Sequence, residues 1–318
     1  MRSSSADPPD TASRAPVDAL ADDPFDAPWG AFPLSRRARA AWWAATLPWP
    51  SRLKRRIRRR VRGIEGPFDV AVPLEGVPLE GVPSEERGAT ERSIRMRLWP
   101  ARNYCDRIVV GQNRLPEPNE HRALLPLVRP GIRFVDIGAN VGAYTLFVGA
   151  RARMKGRGLE EEAARILAFE PHPDTARKLR LNCRLNGLDV HVRECAVGEA
   201  PGELDLWSDG GGNVGQTSLL AEATSNAKLR HAVAVETLAG ALDEAGFDRI
   251  DLLKIDVEGW EDRALGPYLD RPTVGLPGAI LLEAEHAALW RRDLRAELLA
   301  LGYRETFRTE QNRLYVLS

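Results

Sequence analysis

The sequence predicts an α/β fold, a Rossmann-like doubly wound sheet that ends in a C-terminal antiparallel hairpin. Three apolar runs support this prediction, because each contains or leads into a carboxylate and is followed by a turn; they are residues 134–137, 166–170 and 251–256. Segments with helical periodicity separate the runs, and strands that alternate with helices indicate parallel βαβ units. In such a sheet, ligands bind outside the carboxyl ends of the strands.

The first 92 residues are predicted to lie outside this domain. Residues 1–34 are rich in proline, aspartate, serine and alanine, a composition that predicts disorder. Residues 35–64 carry three tryptophans and a run of arginines, which fits either an interfacial segment on anionic lipid or a solvated basic linker. Residues 65–92 repeat a Val-Pro-Leu-Glu-Gly pentapeptide, and its prolines predict a linker or an edge extension. The folded domain is therefore predicted over residues 93–318.

Composition narrows the class of protein and its partners. The 318 residues include 45 basic and 45 acidic side chains, and this balance argues against a nucleic-acid partner. No apolar run approaches the ~20 residues that a spanning helix needs. The three cysteines are scattered, without the spacing of a disulfide framework or a metal site, so a cytoplasmic location is expected.

The first strand leads into a turn that suits an unusual ligand. A dinucleotide-binding turn places glycines at G-x-G-x-x-G, whereas here Gly138 and Gly142 flank Asn140 at the middle position. Asp136, two residues before the turn, would repel a diphosphate. A carboxylate there suits a ligand that carries an ammonium and a sulfonium group, and this predicts S-adenosylmethionine as the cofactor.

The second strand ends at Glu170, where the fold places a carboxylate on ribose hydroxyls. Its separation from Gly142 exceeds the usual ~20 residues, and we attribute the excess to a charged insert at residues 151–165. The helix that follows is predicted to begin at Asp174 as N-cap and to end at residues 186–187.

The remaining strands complete the sheet and place two candidate adenine neighbours. Cys195 and Ala196 end the third strand, where they either border the adenine or are only buried strand-end residues. A glycine-rich loop at residues 208–218 either folds over a substrate or forms a mobile hairpin tip. The strands are predicted at residues 190–197, 202–208, 233–237, 251–259 and 278–286, and the closing hairpin at residues 303–308 and 313–317.

Methyl transfer to an alcohol requires a base for the departing proton. Asp256 and Glu258 end the fourth strand and His286 ends the fifth, so these three are the candidate catalytic residues; either acid could instead orient the acceptor. Lys254 is interpreted as a structural ion-pair partner on the opposite face of the strand. Oxygen ligands for Mg²⁺ could come from Asp256, Glu283 and Glu285, but such clusters are common without metal, and no metal is predicted.

Three blocks resemble the FkbM family of S-adenosylmethionine-dependent methyltransferases: residues 136–145, residues 169–173, and residues 253–259 with Glu261. The loop at residues 212–219 is similar to one that the family carries between these blocks. The resemblance covers roughly residues 94–318, and one departure is Ala239, where the family often has an acid. It implies a sheet of the class I methyltransferase type. It also implies cofactor contacts from Asp136, Gly138, Asn140 and Gly142 at the methionine end and from Glu170 at the ribose.

The resulting prediction is an O-methyltransferase that acts on a hydroxyl of a sugar, glycolipid or other natural product. One alternative is a NAD-dependent oxidoreductase or epimerase, against which Asp136 and the missing middle glycine count. The other is a non-catalytic protein recruited to membranes, supported only by the Trp/Arg-rich segment. Peripheral membrane contact through residues 35–63 is compatible with the enzyme as well.

Overall fold

A computed structural model describes residues 23–47, 64–74, 93–156, 163–208, 217–221 and 229–318. The helices in these ranges are α1 (Arg36–Thr46), α2 (Tyr104–Gln112), α3 (Pro118–Leu124), α4 (Ala143–Lys155), α5 (Pro173–Leu185), α6 (Leu238–Glu244), α7 (Glu261–Asp270) and α8 (Leu294–Ala300). The strands are β1 (Phe68–Pro73), β2 (Ser93–Leu98), β3 (Arg133–Ile137), β4 (Arg165–Phe169), β5 (His191–Arg193), β6 (Ala196–Val197), β7 (Gly202–Ser208), β8 (Thr217–Ser218), β9 (Leu229–Glu236), β10 (Leu252–Ile255), β11 (Ala279–Glu283), β12 (Tyr303–Arg308) and β13 (Asn312–Leu317).

The main sheet confirms the predicted fold class. Within the described residues it has the order β12-β13-β11-β10-β3-β4-β5, with β3, β4, β5, β10 and β11 parallel and the β12–β13 hairpin antiparallel. Numbered along the chain, the parallel strands run 3-2-1-4-5, so the order reverses between β3 and β10. This reversal is the topological switch point, outside which doubly wound proteins bind their ligands.

The central strands are apolar because helices cover both faces of the sheet. Phe134 and Leu252 pack into one core with α4, α5 and the β1–β2 hairpin. Val135 and Leu253, one residue later in each strand, pack into a second core with α6, α7 and α8. Burial on both faces produces the continuous hydrophobic runs from which the strands were predicted.

The disorder predicted for residues 1–34 is wrong over residues 23–34, whereas residues 1–22 lie outside the described residues. The fully buried guanidinium of Arg97 donates hydrogen bonds to the carbonyl oxygens of Ala27 at 2.9 Å and Pro28 at 2.8 Å. It also pairs with Asp69 at 2.6 Å. The backbone N–H groups of Gly30 and Phe32 donate to the same Asp69, so a buried ion pair from a distant part of the chain binds this polar, proline-rich segment.

The segment boundaries predicted within residues 35–92 also differ from those in the structure. Residues 68–73, assigned to the linker, form β1 and pair antiparallel with β2. Residues 36–46 of the basic segment form α1, which packs against α2. The arginine run at residues 52–62 and most of the pentapeptide repeat lie outside the described residues.

Two further local predictions need correction. Asp174 does not cap α5, because Pro173 occupies the first helical position and His172 precedes it. Residues 190–197 do not form one strand: β5 joins the main sheet, whereas β6 pairs with β9 in a smaller sheet of order β6-β9-β7-β8. The glycine-rich loop lies largely outside the described residues, since residues 209–216 are not included.

Candidate active site

A pocket of about 570 Å³ opens at the switch point, over the carboxyl ends of β3, β4, β10 and β11. All three candidate catalytic residues line it, as do most of the predicted cofactor residues. The lining includes Gly138, Asn140, Glu170, Cys195, Ala196, Lys254, Asp256, Glu258, Trp260, Glu283, Glu285 and His286. Asp136 and Gly142 are not among the lining residues.

The β3–α4 turn, residues 138–142, is pressed against the ends of the neighbouring strands. The backbone N–H groups of Gly138 and Ala139 donate to the carbonyl oxygen of Phe169 at 3.0 and 2.9 Å. Gly138 has φ +80°, and a Cβ there would lie 1.9 Å from the carbonyl oxygen of Asp256. This close approach requires glycine, which explains the residue without reference to a ligand.

Asn140 links the turn to two other parts of the pocket wall. It occupies the left-handed region with φ 51°, which asparagine tolerates better than most residues. Its side-chain oxygen accepts from the backbone N–H of Val141 at 2.8 Å and from the Nδ2 of Asn103 at 2.9 Å. Its own backbone N–H donates to Glu170 Oε2 at 3.0 Å.

Glu170 is buried and held rigidly. One carboxylate oxygen accepts from the Asn140 N–H, and the other accepts from the His172 N–H at 2.9 Å. Burial raises the pKa of Glu170 to about 7, although the two N–H donors oppose this rise. Each carboxylate oxygen retains accepting capacity, so the site can receive hydroxyl donors such as those of a ribose.

Asp136 lies beneath the turn rather than in the pocket. It is fully buried, accepts a hydrogen bond from the Thr145 hydroxyl at 2.6 Å, and has its Oδ1 3.7 Å from Lys254 Nζ. Burial raises its pKa, while Lys254 and the Thr145 hydroxyl oppose the rise. The direct cofactor contact of Asp136 remains a prediction; its observed contacts connect β3, α4 and β10.

Lys254 corrects the sequence interpretation of β10. Its placement opposite Asp256 is wrong, because residues two apart on a strand share a face. Lys254 Nζ donates to the Gly138 carbonyl at 2.9 Å and lies 3.6 Å from Asp256 Oδ2. Burial alone would lower the pKa of Lys254, but Asp256 and Asp136 outweigh it and raise the pKa, so the amine is charged. Lys254 therefore forms the expected ion pairs, but its side chain lines the pocket.

Glu258 and His286 form a hydrogen-bonded pair in the pocket, with Glu258 Oε2 3.0 Å from His286 Nε2. Burial raises the pKa of Glu258 to about 8, and the charges of Asp256 and Glu261 add to the rise. The Glu258 carbonyl accepts from the Ser218 hydroxyl at 2.7 Å, which attaches β8 to this corner. A carboxyl with a pKa near neutrality, in contact with an imidazole, can exchange a proton with a bound ligand.

Sequence reasoning missed Glu117, in the loop before α3. The Tyr144 hydroxyl donates to Glu117 Oε2 at 2.6 Å, and both residues line the pocket. The backbone conformation, unlike the sequence pattern, marks Glu117 as unusual. Among the described non-glycine residues, positive φ occurs at four positions, and three of them (Glu117, Asn140 and Glu258) line this pocket. Such strain tends to concentrate at functional sites.

That this site holds no metal ion stays a prediction. Burial raises the pKa of Glu283, and neighbouring carboxylates such as Asp256 raise it further, which favours the neutral carboxyl. The described part of the chain contains no group of three histidine, cysteine, aspartate or glutamate side chains arranged to hold a metal.

The pocket residues fit S-adenosylmethionine better than a dinucleotide. Carboxylates of Glu117, Asp256 and Glu258 would repel a diphosphate but attract a sulfonium and an ammonium group. At the other end, Glu170 stands near the apolar strand-end residues Ala196 and Val197. The Trp260 Nε1 nearby is buried and finds no acceptor among the described residues, which leaves a donor for a heterocycle.

The sheet order and this pocket define a Rossmann-like α/β protein of the class I methyltransferase type. The family model described as "Methyltransferase FkbM domain" matches residues 136–305, just over half of the 318 residues. The chain belongs to this family, which confirms the resemblance, and S-adenosylmethionine is its cofactor.

The individual relatives share low sequence identity with this chain. The 31-O-demethyl-FK506 methyltransferase FkbM of Streptomyces tacrolimicus is 28% identical over 170 residues, covering 45% of this chain and 62% of the relative. Methyltransferase sdnD of Sordaria araneosa is 31% identical over 159 residues, covering 40% and 56%. A solved structure, a putative rRNA-methylase of Clostridium thermocellum, has a TM-score of 0.38 and 10% identity, over 63% of this chain and 95% of that one. The chain thus spans less than two thirds of the curated relatives it matches.

Proposed function

We propose that this protein transfers the methyl group of S-adenosylmethionine to a hydroxyl oxygen of a small-molecule or glycan acceptor, such as a sugar, glycolipid or other natural product. The observation that carries the proposal is the hydrogen-bonded pair of Glu258 and His286, in the pocket that also holds Gly138 and Glu170. The name of the Streptomyces tacrolimicus relative, which specifies a 31-O-demethyl substrate, supports an oxygen acceptor.

The chemistry divides between the cofactor and the chain. When bound, S-adenosylmethionine supplies a methyl group already activated on a sulfonium. The protein must then align the acceptor oxygen and take its proton. In its carboxylate form, Glu258 can accept that proton directly or through His286. In this proposal Asp256, which lies 3.6 Å from Lys254, orients the acceptor.

Calorimetric titration of the full chain tests the cofactor first. We expect S-adenosylmethionine and S-adenosylhomocysteine to bind and NAD not to bind, because the pocket carboxylates disfavour a diphosphate. Labelled methyl transfer to a panel of hydroxylated sugars, glycolipids and polyketides then tests the acceptor. Binding of NAD alone would overturn the methyltransferase proposal. Transfer only to amines or nucleic acid would overturn the oxygen acceptor.

We also propose peripheral contact with anionic membranes through residues 35–63. The described part of this segment, α1, exposes Arg36, Arg37, Arg39 and Trp43, while Ala38 and Ala41 face the core. Exposed arginines beside a tryptophan suit the headgroup region of an anionic bilayer. In the ranges that the structure describes, no helix has the length and apolarity needed to cross a bilayer.

Flotation of the full chain with liposomes tests this contact. We expect association with phosphatidylserine vesicles, weakened by salt and absent with neutral vesicles. Because each basic residue near such a surface contributes about 1 kcal/mol, replacing Arg36, Arg37 and Arg39 with glutamine should reduce partitioning roughly a hundredfold. Replacing Arg184, an exposed arginine on α5, is the control. No flotation of the wild type, or equal flotation of both variants, would contradict the proposal.

A further inference from the structure

The α-ammonium group of S-adenosylmethionine is a cation that a carboxylate reaching the pocket can pair with. The sequence suggests Asp136, but that side chain is fully buried and turned toward Thr145 and Lys254. It does not contribute to the pocket lining. Another carboxylate near the β3–α4 turn is therefore a better candidate.

Most carboxylates of the pocket already have strong partners. Glu170 accepts from two backbone N–H groups, Asp256 faces the Lys254 ammonium, and Glu258 faces His286. Glu283 accepts from the backbone N–H of Glu285. Glu285 itself is exposed, so water can satisfy it, and it also accepts from Gln311.

Glu117 is not held by a backbone N–H in the described structure, whereas Glu170 and Glu283 are. It is half-buried, and in the described structure its hydrogen-bond partners are neutral: the Tyr144 hydroxyl at 2.6 Å and the Asn312 amide at 3.5 Å. Burial raises its pKa, and the nearby charge of Asp256 raises it further. The charge of Lys254 opposes this rise, and an arriving cation would oppose it further, because it stabilises the ionised form of the carboxyl.

The position of Glu117 is also fixed. Its backbone adopts the left-handed conformation, with φ 53° and ψ 56°, immediately before Pro118. Tyr144, which holds the carboxylate, belongs to the first turn of α4 and follows directly on the β3–α4 turn. The carboxylate therefore lies at the edge of the turn that is predicted at the methionine end of the cofactor.

We propose that Glu117, and not Asp136, receives the α-ammonium group of S-adenosylmethionine. Asp136 then acts through Lys254 and Thr145, positioning the turn without touching the ligand. The inference rests on the methyltransferase function only through its cofactor and is independent of the acceptor.

Binding of two ligands to the full-length protein separates the two assignments. The ligands are S-adenosylhomocysteine and its analogue without the α-amino group, and the readout is the dissociation constant from calorimetry. We expect Glu117→Gln to weaken S-adenosylhomocysteine by 10- to 100-fold, because charge-assisted hydrogen bonds have about this strength. The same variant should bind the deaminated analogue as the wild type does.

Two matched variants complete the test. Tyr144→Phe removes the hydroxyl but keeps the carboxylate, so it should retain most of the preference for the amino group. Asp136→Asn should weaken both ligands to a similar extent, since it disturbs the turn. Equal losses of both ligands in Glu117→Gln, no loss of either, or a selective loss in Asp136→Asn would overturn the inference. If the wild type bound neither S-adenosylhomocysteine nor S-adenosylmethionine, the proposed function itself would fail.

Discussion

Replacing Gly138 with alanine is expected to lower the free energy of unfolding by roughly 3 kcal/mol or more and to weaken S-adenosylmethionine binding at least tenfold. Two costs combine. The residue has φ +80°, where an L-residue is strained by about 1–3 kcal/mol. The new Cβ would also lie 1.9 Å from the carbonyl oxygen of Asp256, so one backbone segment must move, at a cost of about 1–3 kcal/mol. Because Asp256 and the turn both line the pocket, this movement reaches the cofactor site.

Gly302 provides a control that separates these costs. It has φ +94° at the turn between α8 and β12, and a Cβ there would meet nothing within 4 Å. Gly302→Ala should therefore lose only the conformational part, about 1–2 kcal/mol, and keep cofactor affinity. Urea unfolding measures the free energy of unfolding of both variants, and calorimetry measures their affinity for the cofactor. Equal stability of the two variants, with wild-type affinity in Gly138→Ala, would contradict the close-packing explanation.

The strand ends of the pocket were predictable because their signal is local. A strand buried on both faces is a continuous apolar run, and a polar residue marks where it leaves the core. Since parallel strands end at one edge, Glu170, Asp256, Glu258 and His286 could be expected in a common site from the sequence alone. The structure places all four around one pocket.

Other features depend on contacts that no local pattern records. Glu117 meets Tyr144 across 27 positions of sequence, and its own segment reads only as the start of a helix before Pro118. The buried position of Asp136 depends on the register that sets it beside Lys254 in the neighbouring strand. Register follows from the packing of the whole sheet, which the sequence of one strand does not specify.

The order of residues 23–34 shows a similar limit of composition. Their low apolar content predicts disorder when the segment is considered alone. Arg97, about 70 positions later in the chain, reverses this by binding the carbonyl groups of Ala27 and Pro28. A buried cation needs acceptors, so it stabilises whichever segment supplies them.

Replacing Glu258 with glutamine is expected to lower kcat by about 10²- to 10⁴-fold, the usual contribution of a general base. Burial, with the charges of Asp256 and Glu261, raises the pKa of Glu258 to about 8, so the basic form increases as the pH rises through that value. The wild-type kcat/KM for the acceptor should therefore rise between about pH 7 and pH 9, and this rise should disappear in Glu258→Gln.

His286→Gln distinguishes the two members of the pair. If Glu258 takes the proton directly, the His286 variant should keep the rise in kcat/KM near pH 8, since the carboxyl group remains. If the proton passes through the imidazole, both variants should lose it. Glu285→Gln is the matched control: this exposed acid also lines the pocket, so the rise in kcat/KM should remain, moved to slightly lower pH because the charge of Glu285 helps to raise the pKa of Glu258. A wild-type pH profile in Glu258→Gln would exclude Glu258 as the base.

The raised pKa of Glu258 also predicts how the stability of the protein depends on pH. Activity is expected to rise with pH, whereas the contribution of Glu258 to stability should fall. The folded protein holds the Glu258 proton more tightly than the unfolded chain does, because the pKa of the carboxyl rises from 4.5 to about 8 on folding. Its contribution to stability is therefore fully present below pH 4.5 and is lost as the pH rises through about 8. Glutamine cannot ionise, so Glu258→Gln should be more stable relative to the wild type at pH 9 than at pH 6, as urea unfolding at the two pH values will measure. Lost activity together with gained alkaline stability is expected of a base kept in a costly environment, whereas a residue needed only for structure would lose both.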